Sequence, residues 1–414
     1  MIDTEVFSRV SARIAAYEEQ MIELQSALTA VPAIAPESGG DGEAAKAALL
    51  LERLQRMSLG DIEIIEAPDP RVSAGTRPNI ILRWPGVSAA DNVWIISHMD
   101  IVPPGEARLW DGDPYRAYVR DGRLYGRGVA DNQQDLVASL FAFLACREEG
   151  INPARMPGLV FVADEETASS FGLAYLLDHP RNPFRRTDII CVPDSGNEEG
   201  SLIEIAEKSI LWVRFRTLGR QCHASKPYLG RNAFLAASHL TVRLHRLLPE
   251  LFPEADSLFD PPASTFEPTR KDANVPNVNT IPGDDVFFMD CRILPRYDLA
   301  AIKAALREVA RGVEEEFDVQ IEIMPVQEVQ APPATDPGAP VVLALAEAIA
   351  DVYGVQATPQ GIGAGTVAAY LRRKGYPAAV WCRIAPTAHQ PNEYCLIADM
   401  VGNAQVFAHL FLQE

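Results

Sequence analysis

Five places in the sequence present histidine or carboxylate where a loop begins. The first is His98-Met99-Asp100, the second the glycine turn Gly126-Arg127-Gly128-Val129-Ala130-Asp131, and the third Asp164-Glu165-Glu166. The others are Pro193-Asp194 and Thr387-Ala388-His389. Each has an ordinary explanation by itself: a turn histidine, a helix-capping aspartate, a surface acidic run. Together they are five deliveries of metal-ligand side chains to one presumed edge. An imidazole with a carboxylate near its second nitrogen is a metal-site arrangement. Three acids that end a buried apolar strand repel one another unless a cation offsets them. Imidazole mixed with carboxylate suits zinc, cobalt or manganese better than calcium. Five ligands exceed what one tetrahedral ion with an open position takes, and they fit two ions sharing a bridging carboxylate.

Those residues must be positioned by elements that the apolar pattern predicts. Apolar residues at helical spacing over Val6 to Leu28 predict an opening helix, and a second helix is expected from Glu43 to Gln55. Strands are expected at Asn79 to Trp84, Asn92 to His98, Gly158 to Asp164 and Asp188 to Val192, with helices at Gln133 to Glu149 and Ser170 to Leu177. Short, nearly uninterrupted apolar strands alternating with helices predict an α/β layer around a mixed, mostly parallel sheet. Reactive residues of such sheets collect beyond the carboxyl ends of the strands.

From about Glu207 the pattern changes to an α+β block. Leu211 to Thr217 alternates apolar and basic residues, as an antiparallel strand with one wet face does. A helix (Ala233 to Leu248), a strand (Val286 to Leu294), a helix (Leu299 to Glu316) and a strand (Asp318 to Met324) follow, closed by the linker Gln330 to Pro340. A helix (Val341 to Tyr353), a strand (Pro377 to Arg383) and a last helix (Asp399 to Leu412) return to the first style. The expected organisation is a catalytic domain in two pieces, 1–206 and 329–414, interrupted by an inserted ferredoxin-like dimerisation or lid domain, 207–328.

Composition excludes other classes. Acids outnumber bases 56 to 37 across 414 residues, a formal charge of −19. That balance argues against a nucleic-acid binder and against docking on an anionic membrane. No apolar run approaches the roughly 20 residues of a membrane helix. The six cysteines are scattered without a Cys-x-x-Cys pair and the N-terminus carries acids, so a reducing, cytoplasmic setting is expected. Gly126-Arg127-Gly128 lacks the third glycine of a dinucleotide fingerprint and the lysine of a phosphate loop, so a dehydrogenase is not expected.

The motifs Ser97-His98-Met99-Asp100, Gly126 to Asn132, Asp164 to Glu166, Pro193 to Gly196 and His389 to Glu393 stand in the order found in a di-zinc metallopeptidase and deacylase family. The sequence resembles that family, which includes acetylornithine deacetylase, succinyl-diaminopimelate desuccinylase, aminoacylase and carnosine dipeptidase. Within the insert, Gly219 to Asn232, Asn279 to Gly283 and Asp290-Cys291-Arg292 match too. The resemblance implies that His98 and Asp194 hold one zinc, Glu166 and His389 the other, and that Asp131 bridges them. It further implies that Glu165 is the general base, Asp100 orients His98, and His223 donates to the developing oxyanion, typically across a homodimer. Asn279, Arg292 and the turn at Gly365 would hold the substrate's carboxylate. Asn132-Gln133-Gln134 and Val367-Ala368 depart from the family pattern, so no named subfamily's substrate follows.

The expected function is cleavage of an amide in a small carboxylate-bearing substrate, a dipeptide or peptide C-terminus. N-acyl-amino-acid deacylation is the alternative. A catalytically silent binding protein on the same scaffold would have lost a ligand or the base, and none is missing. Two zinc ions per subunit are expected, with cobalt or manganese as substitutes.

Overall fold

A computed structural model describes residues 2–86 and 91–413. The chain divides into two compact units. The first comprises Met1–Ile205, Thr335–Gln360 and Thr366–Glu414; the second comprises Ala206–Ala334 and Gly361–Gly365.

The first unit is built on an eight-stranded mixed sheet. Its central strands are, in spatial order, Met156–Val162, Asn92–His98, Ile189–Asn197 and Ala378–Arg383. These four run parallel to one another. Asp61–Pro68 and Thr76–Arg83 add an antiparallel pair at one side, and Leu202–Glu207 joins antiparallel at the other, followed by Thr358–Ile362. Strands covered on both faces read as apolar runs. Asn92–His98 is buried throughout, and Ile65, Ile81, Trp94, Ile96, Val160, Ile190 and Val380 share one core. The Trp94 indole N–H donates to buried Asp188 at 2.9 Å, which keeps a polar edge satisfied in that core. Helix Gln134–Glu148 is buried from Gln134 to Cys146, so its apolar character runs all round, and helix Ile397–Leu412 packs on it.

The opening helix differs from the single span predicted. It breaks at Tyr17 into Thr4–Ala16 and Glu18–Thr29. The apolar stripe continues across the break, with Val10, Ile14, Met21, Leu24 and Leu28 all buried, so spacing alone carries no sign of it. Tyr17 sets its ring 5.4 Å from Phe141 and donates its hydroxyl to Glu148, anchoring the corner on helix Gln134–Glu148. Strands outside the expected set include Asp61–Pro68, Leu202–Glu207, Thr358–Ile362 and Thr265–Lys271.

The second unit follows a βαββαβ order. Its four-stranded sheet runs Thr265–Lys271, Asp284–Ile293, Ser209–Leu218, Gln320–Val329, every neighbour antiparallel. Alternation decides which face is covered. Leu211, Val213 and Phe215 point inward with Phe287, Met289, Cys291 and Ile293, while Trp212, Arg214 and Arg216 line the other face. Phe215 and Phe287 stack at 4.7 Å between centroids. Helix Ala233–Leu251 covers the core with Ala236, Leu240, Leu244 and Leu248, and helix Leu299–Phe317 with Ile302, Leu306, Ala310 and Val313. Both helices start on side-chain caps: Asn232 accepts from the Leu235 amide, Asp298 from the Ala300 amide. No helix among the described residues is long and apolar enough to cross a membrane.

Leu240 is fully buried in this second core. Leu240→Ala should lower stability by about 2–5 kcal/mol, the usual cost of a truncated core leucine. The urea midpoint of the whole chain measures it, and an unchanged midpoint would remove Leu240 from the core.

Candidate metal centre

The four parallel strands end at one edge of the sheet, and each contributes there. His98 closes Asn92–His98, Glu165 and Glu166 follow Met156–Val162, Asp194 lies in the second half of Ile189–Asn197, and His389 follows Ala378–Arg383. Asp131 comes from the glycine turn before helix Gln134–Glu148. Its backbone is extended (φ −112°, ψ 97°) and the helix has no side-chain cap, so this carboxylate is not spent on capping.

All five sequence-named ligand candidates meet within the first unit. His98 Nε2 is 2.9 Å from Asp131 Oδ1 and 3.2 Å from Asp194 Oδ1. His389 Nε2 is 3.2 Å from Asp131 Oδ2 and 3.0 Å from Glu166 Oε2. Asp131 thus turns one oxygen to each imidazole. Ligand atoms of His98, Asp131 and Glu166 lie within 4.8 Å of one another, as do those of His98, Glu165 and Asp194. Each imidazole presents one nitrogen to two carboxylates, and one N–H cannot satisfy both. Glu166 Oε1 is buried without a hydrogen-bond partner. Among the described residues no lysine or arginine pairs with Asp131, Glu165, Glu166 or Asp194. This donor set fits divalent cations: mixed nitrogen and oxygen ligands, excess negative charge, an unused lone pair and one shared carboxylate.

The charges answer to one another. Desolvation pushes the Glu165 carboxyl well above the usual carboxylate range, and the Asp194 charge adds to it. Desolvation also raises Glu166, to about 7, against the pull of His389. Burial would raise Asp131, but the imidazoles of His389 and His98 outweigh it and hold that carboxyl below the usual range. Burial would lower His98, yet Asp100, Asp131 and Asp194 hold it well above an ordinary histidine. Asp131 and Glu166 push His389 up to about 10. With 54% of its side chain exposed, His389 marks the side open to solvent.

Asp100 touches more than His98. His98 Nδ1 lies 3.0 Å from the Asp100 carbonyl and 3.5 Å from its carboxylate. The carboxylate itself accepts from the amides of Glu165 (3.1 Å) and Glu166 (3.0 Å), so it holds the base candidate and a ligand candidate together.

Several supporting residues carried no mark in the sequence. Asp164, the first of the acidic triplet, is offset by an arginine and not by the cluster. Buried Arg77 donates to Asp164 at 2.9 Å and to Glu43 through Nε at 2.8 Å. Asp164 also accepts from the Phe171 amide at 3.0 Å, which pins the loop after Glu166. Lys46 lies fully buried with no partner for Nζ; burial pushes it down to about 8 against the charges of Asp100 and Glu43. Asn132 accepts from the His98 amide at 3.3 Å and donates to the Pro193 carbonyl and, at 3.4 Å, to Asp194.

His223, Asn279, Arg292 and Gly365 belong to the second unit. His223 and Asn279 are exposed neighbours: strand Cys222–His223 pairs with Thr280–Ile281, and the Ala224 amide donates to the Asn279 carbonyl at 2.9 Å. His223 Nδ1 accepts from Ser225, which leaves Nε2 as its free edge. The Arg292 fork grips Asp290 (2.7 and 3.0 Å), and its Nη1 donates to the Gly363 carbonyl at 2.9 Å. The glycine turn holding Gly365 leads from strand Thr358–Ile362 to the short helix Ala368–Arg373.

Known proteins that resemble this chain include a metallohydrolase, a desuccinylase and a peptidase. An uncharacterised metallohydrolase of Methanococcus maripaludis is 38% identical over 409 residues, covering 94% of this chain and 98% of its own. A succinyl-diaminopimelate desuccinylase of Cereibacter sphaeroides is 26% identical over 384 residues, covering 92% and 94%. The crystal structure of aminopeptidase PepT from Bacillus cereus shares the fold, with TM-score 0.75 at 18% identity over 95% of this chain and 98% of that one. The class is therefore a metallohydrolase, an enzyme that works with divalent metal ions. The sequence model of peptidase family M20/M25/M40 matches residues 94–413, and the chain belongs to that family.

Replacing Arg77 with methionine strands two buried carboxylates, Glu43 and Asp164, without their cation. Arg77→Met should cost about 3–5 kcal/mol, and adding Glu43→Gln should recover part of it. Denaturant titration of both variants checks this; full stability in the single variant would contradict the pairing.

Proposed function

We propose that the enzyme hydrolyses the amide bond of a small carboxylate-bearing substrate, a dipeptide or the C-terminus of a short peptide, at two divalent cations, zinc in the first instance. The single observation that supports it most is Asp131, whose two oxygens face two imidazoles amid carboxylates that no arginine or lysine offsets. In this reading His98 and Asp194 hold one ion, Glu166 and His389 the other, and Asp131 serves both. The chemistry supplied by cations held there is polarisation of the scissile carbonyl and acidification of the attacking water.

The chain's own residues move the proton. Glu165 takes it from the water at a carboxylate oxygen and returns it to the leaving amine nitrogen. A carboxyl raised by desolvation suits a group that holds a proton between two transfers. Asp100 keeps Glu165 in place through its backbone amide. His223 donates to the oxyanion, and Asn279, Arg292 and the backbone at Gly365 bind the substrate carboxylate; these four roles rest on the family resemblance. Arg292 would meet a carboxylate with a fork already sharing Asp290.

Deacylation of an N-acyl amino acid is the second reading, favoured by the 26% identity to a desuccinylase across nearly the whole chain. A homodimer formed through the second unit is supported by the exposed apolar residues Phe234, Leu235 and Val242 on one helix. A cytoplasmic setting is supported by six unpaired cysteines, five of them buried.

Glu165→Ala should keep its metal and lose hydrolysis by about 10²–10⁴-fold, the usual worth of a general base; comparable turnover would refute the assignment. A panel of dipeptides, N-acetyl and N-succinyl amino acids, run with zinc, cobalt and manganese, separates the two readings by which class is turned over. Mixing Glu165→Ala and His223→Ala subunits should restore part of the activity. No rescue would mean that His223 does not act across a dimer.

A further inference from the structure

Glu393 ends the same loop that carries His389; it is fully buried and pairs with neither imidazole of the cluster. Its place is set by a strand pairing: Tyr394–Leu396 runs antiparallel to Arg123–Tyr125, and the Gly126 amide donates to the Glu393 carbonyl at 3.0 Å. The chain after Gly126 then curls around the Glu393 carboxylate. Oε2 accepts from Arg127 Nη1 at 2.6 Å and from the Gly128 amide at 2.9 Å. Oε1 accepts from the amides of Ala130 at 2.8 Å and Asp131 at 3.2 Å. A buried carboxylate is costly unless its lone pairs are used, and here four donors use them.

The wrap is sterically specific. Gly128 sits at φ +82°, and a Cβ there would come within 2.4 Å of Ile101 and 2.8 Å of Gln133. Buried Arg127 is held in turn over the Trp110 ring, 5.1 Å from its centroid. On the other side, the loop bearing His389 is closed on Tyr394 by Thr387, whose hydroxyl donates to the Tyr394 carbonyl at 2.8 Å and accepts from its amide at 3.2 Å. One carboxylate therefore stands between the backbone of Asp131 and the loop of His389. Those two residues must keep their side chains 3.2 Å apart.

We infer that Glu393 is a positioning residue for the metal centre, fixing Asp131 relative to His389 so that both ions find preformed ligands. The inference rests on the metal-site reading above. It requires a carboxylate and not merely a polar group, because all four partners donate; an amide in its place sets an NH₂ against N–H groups.

Glu393→Gln tests it, with zinc binding to the full chain read by competition against a chromophoric chelator. The expected result is a folded protein whose affinity for at least one zinc falls by about 10–100-fold, the usual effect of losing a residue that orients a ligand. Arg127→Met removes one donor of four and should weaken zinc less. Wild-type affinity in folded Glu393→Gln overturns the inference; should that variant fail to fold, wild-type affinity in Arg127→Met overturns it. Leu54→Ala, a truncation of a buried leucine outside the site, should leave zinc affinity unchanged. If it weakens binding equally, the effect is general loosening and the inference falls. Asp131→Asn separates the two levels. If it too binds zinc as the wild type does, the metal-site reading fails; if it alone weakens binding, only the role of Glu393 fails.

Discussion

Negative charge in poor contact with water has to be offset, and the site depends on how the first unit does so. At three buried acids an arginine is buried alongside: Arg77 with Glu43 and Asp164, Arg127 with Glu393. At the cluster of Asp131, Glu166 and Asp194 the only cationic partners among the described residues are imidazoles, which can be neutral. The same few strand ends thus hold finished ion pairs beside an unfinished one. Arginine is permanently charged and cannot be displaced by a metal; histidine gives up a proton and becomes a ligand. The choice of cation type separates scaffold from chemistry within a single turn, as Asp164 and Glu166 illustrate.

This division also explains what could be read from the sequence. His98, Asp131, Glu165, Glu166, Asp194 and His389 follow apolar runs or a glycine turn, and abrupt polarity after a buried strand is visible in one dimension. The central strands and most helices were legible for the same reason, since full burial leaves continuous apolar stretches. Arg77, Glu43 and Lys46 were not legible. A lysine at the start of a helix reads as surface, and the partners of Arg77 stand far from it in the chain. Strand Thr265–Lys271 escaped because its residues are largely exposed and give no alternation. The break at Tyr17 escaped because hydrophobic period survives a change of axis. Asn132 stood in the sequence as the end of a motif without a role, whereas its amide ties the backbone of His98 to Asp194.

Asp100 and Glu393 show how a small set of carboxylates organises loops from distant parts of the chain. Both spend carboxylate oxygens on backbone amides, Asp100 on Glu165 and Glu166, Glu393 on Gly128, Ala130 and Asp131. Backbone donors cannot rotate away as side chains do, so these contacts convert an acid's hydrogen bonding into loop geometry.

The order of the sheet carries a consequence for biosynthesis. Strand Ala378–Arg383 lies between Ile189–Asn197 and Leu202–Glu207, which it separates although they are made in quick succession. A chain emerging from the ribosome therefore holds an open flank beside Ile189–Asn197 until nearly all of it has been translated, while the intervening βαββαβ segment already has its own core to fold around. Within the cluster, the imidazole of His389 arrives only after the same late strand has slotted home.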